Sequence, residues 1–289
     1  MRTIRIAGTA ELPFVEQDLR DEAELVNAVT TAVLADAGVP RKEVGFTCSG
    51  SSDYHMGRPF SFVLALDGIG AWPPIRESHV EMDGAFALYE AWVRLQHGDV
   101  DVALVYSYGK SSVGDMDAIA SLQLDPYYQS PLGIGPADLA AMQRQALLDA
   151  GAFSELSEGR TPGRDGAAAT VLVADGTRYA KGPRIAHLQH RTDAMDVGRR
   201  GLLRARSAQL ASEGMGSVDA AFVHTPFGYQ AALLARELGL SEVTPSEAEI
   251  PMVSGLANLN RAARAGVRAL GHCTSGPCLQ QNLVCVVEP

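Results

Sequence analysis

Apolar residues along the chain fall into short runs that switch between strand and helix periodicity. Arg2–Ala7 reads as a strand closed by Gly8, and Val26, Val29 and Val33 mark one face of a helix running to about Ala37. Gly38-Val39-Pro40 ends that helix, and Val44–Cys48 resumes as a strand. Ser49 to Gly70 is a long polar, glycine-rich stretch. Gly84–His97 places Leu88, Ala91, Trp92 and Leu95 on one helical face before Gly98, and Val102–Tyr106 is apolar throughout, as a buried strand requires. Ser111 to Gly135 reads as surface, ahead of a helix from about Pro136 to Ala150.

After a break at Ser157–Arg164 the pattern begins again. Strands are expected at Ala168–Val173, Arg184–Leu188, Val218–Val223 and Leu283–Val287. Helices are expected at Gly201–Glu213, Tyr229–Leu238 and from about Val253 to Ala265. Such alternation predicts an α/β layered architecture. It divides into an N-terminal half, residues 1–157 with a loop region at about 111–157, and a C-terminal half, residues 158–289. No residue-level repeat relates the two.

Composition narrows the function by exclusion. With 46% hydrophobic and 20% charged residues, the 289-residue chain has the make-up of a cored protein. Its 24 Lys and Arg against 34 Asp and Glu leave a net charge of −10, which lacks the footprint of a general nucleic-acid binder. The densest basic cluster is Arg199, Arg200, Arg204 and Arg206. No apolar run approaches the roughly 18 residues that span a bilayer, so no membrane partner is expected. Four cysteines, three of them crowded at one end, do not make a disulfide framework. A reduced, cytoplasmic protein is the expectation. No metal-ligand spacing, P-loop or dinucleotide glycine pattern is present, and no metal is expected.

Three segments combine reactive side chains with places where strands end and helices begin. In Ser78-His79-Val80-Glu81-Met82-Asp83-Gly84, Glu81 or Asp83 has the chemistry of a general base with His79 as proton partner, while a plain helix cap at Asp83 accounts for the same residues. In His224-Thr225-Pro226-Phe227-Gly228-Tyr229, an imidazole at a strand exit can donate to a developing enolate, and Tyr229 can either donate a proton or pack. In Gly271-His272-Cys273-Thr274-Ser275-Gly276-Pro277-Cys278, read as a shaped loop, Cys273 beside His272 has the make-up of a nucleophile. Cys48 and Cys285 read as strand or core sulfurs.

At these residues the sequence resembles the thiolase superfamily, and within it the bacterial lipid-transfer or sterol-carrier-type proteins of steroid side-chain degradation. The resemblance lies in the opening RIAGTAELPF, in ADAGVPRKEVGFTCSGSSDY, and in the long stretch from GRPFSFVLALDGIG through RESHVEMDGAFALYEAW to VALVYSYGKSS. It continues through DGAAATVLV, the HTPF loop and GHCTSGPCLQQNLVCVVEP. It implies two βαβαβαββ halves in five layers (αβαβα), usually as a homodimer. The family's nucleophilic Cys, in a CASG-type motif, falls on Glu81 here, so covalent thiolysis by that route is not expected. His224 matches the Asn or His that helps hold an enolate oxygen. Pro245–Pro251 replaces a glycine-rich motif and a second oxyanion-hole His.

The resemblance therefore implies carbon–carbon bond chemistry on an acyl thioester without a covalent Cys intermediate. A retro-aldol reaction would use Asp83 or Glu81 as base, His224 and His272 as donors and Tyr229 to return the proton. Acyl-CoA or another acyl thioester is the expected substrate and no further cofactor is implied. A small OB-fold partner would complete the acyl-CoA channel. Two alternatives stay open: an acyltransferase or Claisen enzyme using Cys273 or Cys278, and a non-catalytic acyl-binding or scaffolding subunit.

Overall fold

The computed structural model describes residues 1–56, 59–70 and 76–289. Residues 57–58 and 71–75, part of the stretch that carries the resemblance, lie outside the described residues. The N-terminal unit comprises β1 (Ile4–Glu11), α1 (Glu22–Ala37), β2 (Phe46–Gly50), α2 (Asp53–Met56), α3 (Ser61–Ile69), β3 (Glu77–Val80), α4 (Gly84–His97) and β4 (Val102–Lys110). α5 (Met116–Leu122) and α6 (Pro136–Asp149) follow before β5 (Asp165–Ala174). The C-terminal unit comprises β6 (Arg184–Thr192), α7 (Val197–Arg200), α8 (Arg206–Ser212), β7 (Ala220–Val223), α9 (Gln230–Leu238), β8 (Thr244–Pro245), α10 (Ser254–Arg264), β9 (Ala269–Ser275) and β10 (Gln281–Glu288).

The strands run in the order β3-β2-β4-β5-β1-β6-β10-β9-β7-β8. From the outer edges inward, the two units have one and the same topology. The second strand is parallel to the third and fourth, and the fifth lies antiparallel between the fourth and the first. β1 and β6 touch at a single register pair, Arg5 with Arg184. The repeat that no residue identity revealed is thus a repeat of strand order. It also moves the boundary: β5 belongs with β4 and β1, so the first unit runs to Ala174 and the division expected at 157 falls inside it.

Side-chain alternation explains the layers. On β5, Ala167, Ala169, Val171 and Val173 join the core under α1, while Ala168, Leu172 and Ala174 join the core around α4 and α10. On β10, Leu283, Cys285 and Val287 face the same central layer, and Val284 and Val286 face the core built with α8 and α9. Strands buried on both faces need apolar residues at every position, which is why they lack a polar alternation. The order is therefore α1 and α3, sheet, α4 and α10, sheet, α8 and α9, the expected αβαβα arrangement.

Several weakly patterned segments are ordered all the same. The stretch Ser49 to Gly70 holds α2 and α3, and the expected surface region Ser111 to Gly135 holds α5. The segment read as a loop at Gly271–Cys278 is mostly strand: β9 continues to Ser275, and only the turn after it is irregular. There Cys278 and Leu279 take the left-handed conformation, at φ 52° and 59°. Arg200 donates to the Cys278 carbonyl at 2.9 Å and to the Pro277 carbonyl, which fixes that turn. Among the described residues, no helix is long and apolar enough to cross a membrane.

Candidate active site

α4 and α10 are equivalent helices of the two units, and their N-termini meet in the central layer. Asp83 is the N-cap of α4, where its Oδ1 accepts from Ala85 N–H at 2.8 Å. The same carboxylate accepts from two N–H groups of α10, Gly255 to Oδ2 and Leu256 to Oδ1, both at 2.9 Å. One buried side chain therefore caps two helices from different halves. α10 has no side-chain cap of its own, since Val253 stands at that position. The remaining donor of the junction, Gly84 N–H, gives to the Met252 carbonyl at 2.8 Å, and Met252 holds a left-handed φ of 65°.

Two further groups from the C-terminal unit close on Asp83. His224, just past β7, and Cys273, on the inward face of β9, place Nδ1 and Sγ so that these atoms and an Asp83 oxygen all lie within 4.8 Å of one another. Sγ is 3.8 Å from Nδ1. The approach requires glycine at position 255, where an added Cβ would stand 2.2 Å from Sγ and 2.6 Å from Asp83 Oδ1. On its other side His224 Nε2 lies 2.7 Å from Glu249 Oε2. In the neutral ring this pairing puts the hydrogen on Nε2, and Nδ1 then accepts from Thr274 N–H at 3.4 Å. Asp83, His224 and Cys273 are buried, whereas the Glu249 side chain keeps 21% of its exposure. Glu249 is the member of this chain of groups that reaches solvent.

Burial governs the protonation states. It raises the Asp83 carboxyl above its ordinary range, against the opposing charge of His224 and the three backbone donors. Burial also works against the imidazolium of His224, but the charge and hydrogen bond of Glu249 and the charge of Asp83 outweigh it and raise that group. The Cys273 thiol is pushed well above its ordinary value, by burial first and then by the charges of Asp83 and Glu249 and the hydrogen bond it gives Asp83. A thiol so placed stays protonated. The charges that act on it are those of two carboxylates, which oppose a reactive thiolate.

The other sequence candidates go elsewhere. Glu81 is about half exposed, accepts from the Asp53 N–H that opens α2 at 2.7 Å, and lies 3.2 Å from His79 Nε2. His79 Nδ1 meets Ser49 Oγ at 3.0 Å across neighbouring strands, and Phe62 stacks on the ring. Glu81 thus pins α2 rather than facing Asp83. His272 is one residue from Cys273 and so points to the opposite face of β9, where Nε2 lies 2.8 Å from Asn282 Oδ1. Burial depresses it to about 3, so it stays neutral and away from the junction. Tyr229 gives its hydroxyl hydrogen to Gln143 at 2.7 Å inside the core beneath α9. Cys278 lies in a small cluster with Leu124 and Leu139, where burial raises its thiol to about 11.

Sequence reasoning missed Glu249 and His55. The charges of Glu249 and Glu81 both act on His55, which burial nevertheless depresses, and its Nδ1 is buried without a hydrogen-bond partner. Glu249 lay in the segment read only as a lost motif, and no spacing ties it to His224 25 residues earlier.

Comparison with solved structures places this geometry in a known fold. Human mitochondrial 3-ketoacyl-CoA thiolase in complex with CoA aligns over 99% of this chain and 98% of its own, with a TM-score of 0.71 and 15% identity. A second structure of that human enzyme aligns over 99% and 98%, with a TM-score of 0.73 and 15% identity. The Ltp2-ChsH2(DUF35) aldolase aligns over 98% and 97%, with a TM-score of 0.74 and 14% identity. No family model and no curated protein matches the sequence. At these identities the agreement concerns backbone and topology, and on that ground the chain has the thiolase fold.

Proposed function

We propose that the chain is an acyl-thioester carbon–carbon lyase that works by retro-aldol chemistry through Glu249 and His224, without a covalent Cys intermediate. The observation that carries this reading is the buried row Asp83–Cys273–His224–Glu249, in which an imidazole stands between a sealed carboxylate and one open to solvent. An imidazole oriented by a carboxylate is the usual acid/base unit of enzymes. Glu249 takes the proton of a β-hydroxyl group. The oxygen's electron pair closes the new carbonyl, the Cα–Cβ bond breaks, and its electrons pass into the thioester enolate. Glu249 holds the proton in the meantime, with the Nε2–H of His224 donated to its other side, and returns it to Cα, so atoms and charge balance. The likeness to an aldolase whose name joins two components, Ltp2 and ChsH2(DUF35), supports a small partner subunit that helps seat the acyl-CoA.

The test is incubation of the chain, alone and with a co-expressed DUF35-type partner, with β-hydroxyacyl-CoA esters. The free carbonyl product and the shortened acyl-CoA are both measured. Glu249→Gln and His224→Ala are expected to lower turnover at least about 100-fold, the usual scale for acid/base groups, while Cys278→Ala leaves it unchanged. An acyl adduct on Cys273 or Cys278 by intact mass overturns the reading in favour of acyl transfer.

One observation favours a second reading, a non-catalytic subunit. The first-turn N–H groups of α4 and α10, the natural holders of an oxyanion, are taken by Asp83, by the Met252 carbonyl and by backbone within the junction. A chain that forms a stable complex yet turns over no thioester in any of these assays is that subunit.

A further inference from the structure

The residues at the helix junction have a property that acid/base chemistry does not use. Cys273 Sγ, His224 Nδ1 and an Asp83 oxygen are three different metal-ligand types, drawn together within 4.8 Å from three distant segments. No sequence spacing announces such a set, because 141 residues separate Asp83 from His224 and 49 more separate His224 from Cys273. The set also keeps some acceptor capacity. Asp83 Oδ1 already accepts two N–H groups, but Oδ2 accepts only that of Gly255. His224 gives its Nε2 side to Glu249, and Nδ1, 3.8 Å from Sγ, accepts a long bond of 3.4 Å from Thr274 N–H that an ion would displace. A carboxylate bound to the far nitrogen of a ligand histidine is the outer support common to zinc sites, fixing the tautomer and raising the ring's basicity.

From this geometry we infer that Asp83, His224 and Cys273 form a binding site for one zinc-class divalent cation, supported by Glu249. The ion replaces the thiol hydrogen between Cys273 and Asp83: the S–H bond breaks, one proton leaves to solvent, and sulfur, an Asp83 oxygen and Nδ1 take its place around the metal. Two anionic ligands, one neutral imidazole and one dication sum to zero charge, which a buried site demands. Zinc–sulfur bonds of about 2.3 Å and zinc–nitrogen bonds of about 2.0 Å allow one ion to bridge Sγ and Nδ1 at their 3.8 Å separation. The Asp83 oxygen, within 4.8 Å of both, completes the set by closing on the ion. Cation binding does not depend on the lyase reading. If that reading holds, an ion on Nδ1 makes the Nε2–H a stronger donor to Glu249, lowers the basicity of that carboxylate and is an inhibitor.

The test uses the full chain, freed of metal by chelator and titrated with ZnCl2 or CoCl2. One zinc per chain by elemental analysis is expected, with release of about one proton in weakly buffered solution. The cobalt form is expected to show a near-ultraviolet thiolate-to-metal charge-transfer band. Cys273→Ala, checked for folding by circular dichroism, is expected to abolish the band, and Cys278→Ala and Cys285→Ala to keep it. Glu249→Gln is expected to keep the band but weaken affinity about 10- to 100-fold. A wild-type chain that takes up no stoichiometric metal, or a band that survives in folded Cys273→Ala, overturns the inference. Metal binding in a chain without turnover separates this result from failure of the lyase reading.

Discussion

The two buried helices of the central layer, α4 and α10, stand at equivalent places in the two units but begin in different ways. α4 carries its own cap, Asp83, whereas α10 starts after Val253 and borrows that same carboxylate across the interface. An ordinary capping residue closes one helix at the surface. A buried one that closes two joins the halves and determines which groups can approach the junction. The contrast with α1 is direct: Asp21 and Glu24 form a reciprocal capping box there, exposed to water and confined to one helix.

The comparison is broken most severely at Asp83 itself. Asp83→Ala leaves three buried N–H groups without their acceptor, and a loss of about 3–5 kcal/mol is expected by urea denaturation. Asp83→Asn keeps one oxygen and is expected to cost clearly less. Equal losses in the two variants would show that a single retained oxygen does not hold the junction and that the full carboxylate is required.

The two neighbouring faces of β9 offer a pH contrast of comparable size. His272 is held near 3 in the folded protein against 6.5 in the unfolded chain. Below pH 6.5 the unfolded state binds a proton that the native state refuses, so stability falls on acidification until about pH 3. The slope is at most about 1.4 kcal/mol per pH unit. His224 has the opposite sign: its native pKa is raised, so its contribution is complete below the unfolded value and is lost as pH rises through the native one. Denaturant melts between pH 4 and 8 are expected to show a shallower acid limb in His272→Gln. An unchanged limb would assign the acid sensitivity to other groups.

Close packing at the junction is sharpened by Gly255→Ala. The new methyl would overlap Cys273 Sγ and Asp83 Oδ1, and overpacking of this kind costs about 1–3 kcal/mol. Adding Cys273→Ala is expected to return part of it, and simple additivity of the two changes would rule out direct contact. The smallest effect belongs to the surface cap. Asp21→Ala is expected to cost about 1 kcal/mol, measured in the same denaturation series.

Legibility followed the strength of local patterning. β4, β5 and β10 announce themselves because strands covered on both faces must be apolar at nearly every position. β3 reads Glu-Ser-His-Val at a sheet edge, and β8 is a two-residue bridge, so neither carries a period. β9, with Gly-His-Cys-Thr-Ser at its end, looks like a loop in letters and is held straight by β10 and β7. The site divides in the same way. Asp83, His224 and Cys273 could each be singled out as reactive residues near element ends, and so could His272, Glu81 and Tyr229. Strand alternation turned His272 away, the start of α2 claimed Glu81, and Gln143 claimed the Tyr229 hydroxyl.

The order of apolar segments by itself determined the layered α/β class and the succession of most strands and helices, because burial of a face imposes its period on the letters. It also placed a carboxylate, an imidazole and a thiol at the ends of such segments. Tertiary structure alone decided that α4 and α10 share one cap and that Glu249 stands behind His224. It also decided that Cys273 keeps its proton. Those outcomes depend on distances between residues far apart in the chain and on the exclusion of water around them, and neither quantity is written in any local stretch of sequence.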